Sequence, residues 1–311
     1  MINLIFTLLL SLFCFIYSDL ENHFKAITDK ADLHFNQMKN IDFIYLINLD
    51  QRPEKLAHCL NELAPYKIHP YRFSAVNGWE ISLDVINDVG IKYDSSMTYD
   101  LLGTTFLPNK NFKPLHEVMN TPGRVYFCHH MTLGAIGIVL SHLSILQDAY
   151  DSGYETIWVL EDDIEVIQNP HLLSDRILEL DNLVGTGNWD ILFTDRNTKD
   201  RQGNYITCHG YAKRPNYSPL DIEKFSPQTC INAEFIQTGT RYGAYSMILR
   251  RSGIQKILDF IKTYSIFLPY DMEYYLPDNI KIYSLINDIV STKGESPTDN
   301  RKPNYKNTKP K

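Results

Sequence analysis

The chain has 311 residues, 44% hydrophobic and 22% charged, which supplies a substantial core and excludes a disordered, collagen-like or coiled-coil architecture. That length reads as one large or two small domains. A net charge of −7 argues against a nucleic-acid binder that works by neutralising phosphates.

Residues Ile2 to Tyr17 are almost wholly apolar, short for a membrane span and suited to the core of a secretory signal. Ser18 is a small residue at a plausible cut. No Lys or Arg precedes the run, so an uncleaved signal anchor or a buried helix stays open. Residues 1–18 are therefore read as a signal peptide or anchor, placing the protein at a membrane or in the secretory pathway. Five cysteines are scattered without a C-x-x-C pair, and free thiols are the simpler expectation. At the far end, 292–311 carries five Lys and one Arg against one Glu and one Asp, with three prolines. That composition predicts a flexible basic tail.

Phe43 to Ile47 is a continuous β-favouring run, as in a strand buried on both faces. A helix is expected next, with Pro53 in its first turn and Leu56, Leu60 and Leu63 at helical spacing. A second strand is expected from Tyr71 to Val76, ending in Asn77-Gly78. Residues 80–130 show little period and read as an irregular insertion. From Gly134 an apolar stripe through Ile136, Leu140 and Leu143 predicts a helix that stops at Gly153. Strands follow at Thr156–Leu160, Trp189–Thr194 and Tyr242–Leu249, and Ser252 is expected to cap a last helix. Strands alternating with helices predict an α/β fold with a central, mostly parallel sheet flanked by helices. Ligands of such sheets bind at the carboxyl ends of the strands, here Asn48 to Arg52, Asn77-Gly78, and Glu161 to Asp163.

Glu161-Asp162-Asp163 is the sharpest local signal. Adjacent carboxylates repel, and a strand end that tolerates them usually has a cation nearby. Their hard oxygens suit Mg²⁺ or Mn²⁺ shared with a substrate diphosphate; a solvated acidic turn is the plainer alternative. Arg52 stands where a guanidinium meets a phosphate or a base edge, near a helix N-terminus that does not favour a cation. His142 lies at the edge of the apolar stripe, and a lone helical His is more often structural. Asp271 follows Leu268-Pro269-Tyr270 as a loop carboxylate. His129-His130 is discounted as a metal pair because adjacent side chains on regular structure point apart. Phosphate-loop, dinucleotide, zinc-protease and serine-hydrolase motifs are absent from the sequence.

In chain order these blocks resemble glycosyltransferase family 25, the lipooligosaccharide and procollagen galactosyltransferase group. Ile44-Tyr45-Leu46-Ile47-Asn48-Leu49-Asp50-Gln51-Arg52 is similar to the family's opening strand followed by Asn-Leu-x-x-Arg. Arg72-Phe73-Ser74-Ala75-Val76-Asn77-Gly78 resembles its Ala-x-(Asp/Asn)-Gly element. Gly134 to His142 resembles the Gly-x-x-x-Ser-His helix, Leu160-Glu161-Asp162-Asp163 the acidic motif, and Pro269-Tyr270-Asp271 the late Pro-x-Asp. The resemblance implies a GT-A-like catalytic domain over 40–291 that moves a sugar, galactose the expected one, from a UDP-sugar with inversion. It places Mn²⁺ or Mg²⁺ on Glu161 and Asp163, and the donor on Asn48, Arg52, Asn77, Gly78 and His142. Asp271 becomes the candidate base. The acceptor would be a glycan, a lipooligosaccharide or a hydroxylated protein, with the N-terminal run available for membrane association. Gln51 and Pro53-Glu54 depart from the pattern where many members carry a second Arg. A non-catalytic carbohydrate-binding relative and a metal-dependent phosphohydrolase are the alternatives.

Overall fold

The computed structural model describes residues 19–28, 30, 38–98, 100–108, 113–226, 228–292 and 298–307; the apolar run Ile2–Tyr17 and Cys14 lie outside them. Strand β1 (Phe43–Asn48) leads into helix α1 (Pro53–Leu63), whose first turn holds Pro53, and then β2 (Tyr71–Ser74). Helix α2 (Leu83–Val89) precedes four short strands: β3 (Ile91–Lys92), β4 (Leu102–Phe106), β5 (Pro114–Val118) and β6 (Val125–Cys128). Next come α3 (Leu133–Asp151), β7 (Thr156–Glu161), β8 (Ile164–Val166), α4 (Leu172–Val184) and β9 (Ile191–Phe193). The chain continues through β10 (Thr229–Cys230), β11 (Phe235–Thr238), β12 (Ser246–Arg250), α5 (Arg251–Tyr264) and α6 (Tyr270–Glu273). Strands β13 (Ile282–Leu285) and β14 (Val290–Thr292) follow, and a 3₁₀ turn spans Asn304–Asn307.

The central sheet has eight strands in the order β10-β11-β13-β9-β12-β7-β1-β2. β2, β1, β7, β9, β13 and β10 run one way; only β11 and β12 run against them. This is the expected α/β fold with a mostly parallel sheet. Period-two alternation splits the apolar runs between two cores. Tyr45, Ile47, Ile157 and Val159 face α3 and α5, while Ile44, Leu46, Trp158 and Leu160 face α1 and α4. Both faces being covered explains why β1 and β7 read as unbroken hydrophobic runs.

Helix α3 is buried through most of its length. It is the one helix among the described residues long and apolar enough to cross a membrane, but it packs inside the core. Cys59, Cys128, Cys208 and Cys230 are free thiols, Cys59 and Cys208 buried and Cys230 exposed.

Two expectations are corrected. The stretch 80–130 is not irregular: it holds α2 and a four-stranded antiparallel sheet in the order β3-β6-β4-β5. Ser252 does not cap α5, because β12 runs straight into the helix and Arg250 occupies the cap position. The Ser252 hydroxyl instead donates to Asp190 Oδ1 at 2.6 Å. Residues 298–307 have a place that a basic tail did not suggest: they pack across the carboxyl ends of the central strands.

Candidate active site

Strands β1 and β7 pair in register with Ile47 opposite Glu161, so Asn48 and the acidic triplet emerge side by side. Antiparallel β12 begins at the same end, where Tyr245 O accepts from the Glu161 amide at 2.8 Å. A pocket at this end is lined by Asn48, Asn77, Gly78, His142, Glu161 and Asp163, all expected site residues, together with Lys55 and Asp162. Asp271 lines an adjoining pocket that shares Glu161. Arg52 is the exception. Its side chain stands behind the lining.

Asn48 is fully committed to holding the site together. Its Nδ2 donates to Asp162 Oδ2 (2.8 Å) and Arg52 O (3.0 Å), and its Oδ1 accepts from Arg72 Nε (3.1 Å). His142 is buried, its Nε2 lies 2.9 Å from Glu161 Oε1, and its ring stacks on Tyr270 with centroids 4.0 Å apart. That stack ties α3 to α6 and carries Asp271 towards Glu161. The α6 turn is anchored by Glu273, which pairs with buried Arg214 and accepts from the amides of Phe267 (2.9 Å) and Leu268 (2.8 Å). Asp271 Oδ2 accepts from the Gly243 amide at 3.2 Å. Burial raises the Asp271 carboxyl above its usual range, and the charge of Glu161 adds to the rise against the Gly243 hydrogen bond.

Burial also raises Asp162, with Lys55 and Asn48 pulling it back. Asp163 is pushed up to about 7 by burial and by the neighbouring Glu161 charge. Its Oδ1 is buried and makes no hydrogen bond. An orphaned carboxylate oxygen beside a second carboxylate is a donor set that suits a hard divalent cation. Among the described residues no three His, Cys, Asp or Glu side chains are grouped to hold a metal by themselves. A cation on Glu161 and Asp163 would therefore complete its shell with water and ligand oxygens, the habit of Mg²⁺-type sites.

Residues 298–300 form one side of the pocket. Asp299 takes a two-pronged grip from Arg52, Nε to Oδ2 at 2.6 Å and Nη2 to Oδ1 at 2.8 Å. Trp79 Nε1 donates to Asp299 O (2.7 Å), Thr132 Oγ1 to Asn300 O (2.7 Å), and Asn77 Nδ2 to Tyr305 Oη (2.9 Å). Gly134 permits this approach, since a Cβ there would sit 2.4 Å from Asn300 O. Gly78 has a similar reason: its Cβ would meet Leu133 O at 1.8 Å. Ser141 locks the same junction, accepting from the Val76 amide (2.9 Å) and donating to Gly137 O (2.7 Å).

The profile of glycosyltransferase family 25 (LPS biosynthesis protein) matches residues 41–273, from the first strand to the end of α6. The chain belongs to glycosyltransferase family 25. It is 30% identical over 181 residues to a glycosyltransferase 25 family member of Aedes aegypti, covering 56% of this chain and 25% of that one. It is 25% identical over 210 residues to a family member of Anopheles gambiae, covering 65% of this chain and 31% of the relative. A mouse relative named inactive glycosyltransferase 25 family member 3 is 26% identical over 155 residues, 50% of this chain and 22% of the other. The chain thus spans between a fifth and a third of the length of these curated relatives.

Within this family domain, sequence reasoning missed Lys55, Trp79 and Ser141; outside it, the acidic residues of 296–299 were read only as a fallback place for the base, and Asp299 instead pairs with Arg52. Ser141 stood in the quoted Ser-His block, and its hydroxyl was the available clue. Nothing local marked Trp79 or the structural role of Asp299, whose contacts are made across more than 200 residues.

Proposed function

We propose that this domain transfers a sugar from a UDP-sugar, galactose being the expected one, to a hydroxyl of a glycan or protein, with inversion and with Mn²⁺ or Mg²⁺. The observation that carries the reading is the gathering of Glu161, Asp163 and Asp271 around adjoining pockets at the strand ends of a family 25 domain.

Displacement at an anomeric carbon passes through an oxocarbenium-like state while charge builds on the leaving diphosphate. A divalent cation on Glu161 and Asp163 would neutralise that charge as a Lewis acid. Lys55, which lines the pocket with its Nζ 3.4 Å from Asp162 Oδ1, adds a fixed positive charge beside the diphosphate. His142 holds Glu161 in orientation. Asp271 takes the proton from the acceptor hydroxyl, and its raised carboxyl is better matched to that task near neutral pH than an exposed Asp. Arg52 acts on the donor side by fixing Asp299, rather than by direct contact with the nucleotide.

The test is a donor screen. UDP-galactose, UDP-glucose and UDP-N-acetylhexosamines are incubated with the protein and Mn²⁺, and UDP release is followed. Turnover of one donor supports the reading; release from none of them contradicts it. The mouse relative's name favours a second reading, a non-catalytic carbohydrate-binding domain, which predicts nucleotide-sugar binding without UDP release. The apolar run Ile2–Tyr17 supports placement at a membrane or in the secretory pathway, and N-terminal sequencing of the expressed protein decides cleavage.

A further inference from the structure

A wide cleft of about 1090 Å³ opens beside the strand-end pockets, between Asp271, the C-terminal segment and the small antiparallel sheet. It is slightly larger than the ~300–1,000 Å³ typical of small-ligand clefts, room enough for more than one sugar ring. Its charge is lopsided. Among the described residues, Lys113, Arg301 and Lys306 line it against a single carboxylate, Asp271. The chain as a whole has the opposite balance, 37 acidic residues to 30 basic. A concave site lined by one sign of charge focuses potential inward and draws the opposite charge. Arg301 and Lys306 are exposed, and neither forms an ion pair among the described residues.

One wall of the cleft is built from His116, His129 and His130, with neighbouring ring centroids 4.9 Å apart. The rings of His129 and His130 lie close together, against the expectation that they point apart. Thr104 Oγ1 lies 2.9 Å from His116 Nδ1 and donates to His129 O at 3.0 Å, fixing the wall. His129 Nδ1 is buried without a hydrogen-bond partner. That unpartnered nitrogen is a hydrogen-bonding position that a polar ligand could fill. Trp79 and Phe106 supply apolar surface in the same cleft, against which the carbon face of a sugar ring can lie.

We propose that this cleft binds the acceptor, and that the acceptor is an acidic glycan whose phosphate or carboxylate group meets Arg301 and Lys306. The inference rests on the sugar-transfer reading and names its acceptor class. The attacking hydroxyl oxygen forms the new bond to the anomeric carbon. The bond from that carbon to the diphosphate oxygen breaks, its electron pair leaving with UDP, and the hydroxyl proton passes to Asp271. The acidic group stays at the rim and sets which hydroxyl reaches Asp271.

Calorimetry on the full chain with UDP and Mn²⁺ tests this, using methyl β-glucoside, its 6-phosphate, methyl β-glucuronide and inorganic phosphate as probes. At least one charged sugar is expected to bind tenfold or more tightly than the neutral glucoside. The 6-phosphate and the glucuronide separate the two anion types, and inorganic phosphate must bind more weakly than the preferred sugar. Arg301→Glu with Lys306→Glu should abolish the preference, and Arg301→Ala alone should reduce it severalfold. Both residues are exposed, and a thermal melt checks that the variants fold. Equal or undetectable binding of charged and neutral sugars overturns the proposal. So does a preference that survives the double variant, or one that inorganic phosphate reproduces. Failure of UDP itself to bind would instead contradict the sugar-transfer reading, while the charge preference could still be measured without nucleotide.

Discussion

Arg52 and Asp299, 247 positions apart, form a buried two-pronged ion pair that fastens residues 298–307 over the strand-end pocket. Removing one member of a buried pair usually costs ~3–5 kcal/mol, because the other charge is stranded. Both side chains are almost fully buried, so Arg52→Ala is expected to cost about that much. Urea unfolding gives the stability change, and hydrogen exchange over 298–307 should accelerate in the variant. Unchanged exchange there would show that the pair does not hold the segment.

Gly78 was expected to contact the nucleotide, and its geometry gives it a packing reason. A Cβ at this position would lie 1.8 Å from Leu133 O and 2.9 Å from Gly137 N, both backbone atoms of α3. Gly78→Ala should therefore destabilise by at least the ~1–3 kcal/mol typical of overpacking, read as a lowered melting temperature. A variant with normal stability and weakened UDP binding would make Gly78 a ligand contact instead.

Asp163 gives the metal-free protein a pH dependence. An unfolded Asp titrates near ~4, and the native carboxyl is pushed up to about 7. Between those values the native state keeps a proton that the unfolded chain releases, so stability falls as pH rises from ~4 towards 7. Asp163→Asn cannot ionise and should lose this slope. In EDTA, the variant's advantage in melting temperature should widen from pH 5 to pH 8; parallel profiles would exclude a strained Asp163 carboxylate.

Asp271→Asn keeps the shape of the side chain and removes the proton acceptor. Losing a general base typically lowers the rate 10²–10⁴-fold, and the loss should fall on kcat with donor affinity little changed. Weakened donor binding with intact kcat would place Asp271 on the donor side and the base elsewhere.

The sequence made the central strands legible because β1 and β7 are covered on both faces and need unbroken apolar runs. It also exposed the acidic triplet, which ends such a run. The small sheet within 80–130 stayed hidden because its strands are two to five residues long and β5 is largely exposed. Composition misrepresented residues 298–307 for a different reason. Their docking rests on the Asp299 carboxylate on Arg52, the Asp299 and Asn300 carbonyls on Trp79 and Thr132, and the Tyr305 hydroxyl on Asn77, all across the fold. Local charge counting averages such contacts away. Ser252 looked like a cap because Ser is a favoured cap residue, but the helix starts one residue earlier, at Arg251, directly from β12.

The central claim, a cation-dependent nucleotide-sugar site on Glu161 and Asp163, is tested most directly by calorimetric titration of UDP into the full chain. The titration is made with Mn²⁺ and with EDTA, in the wild type and in Asp163→Ala. The account predicts binding in the wild type with Mn²⁺, a loss of tenfold or more in EDTA, and a similar loss in Asp163→Ala even with Mn²⁺. UDP affinity that is indifferent to both the cation and Asp163 would contradict it.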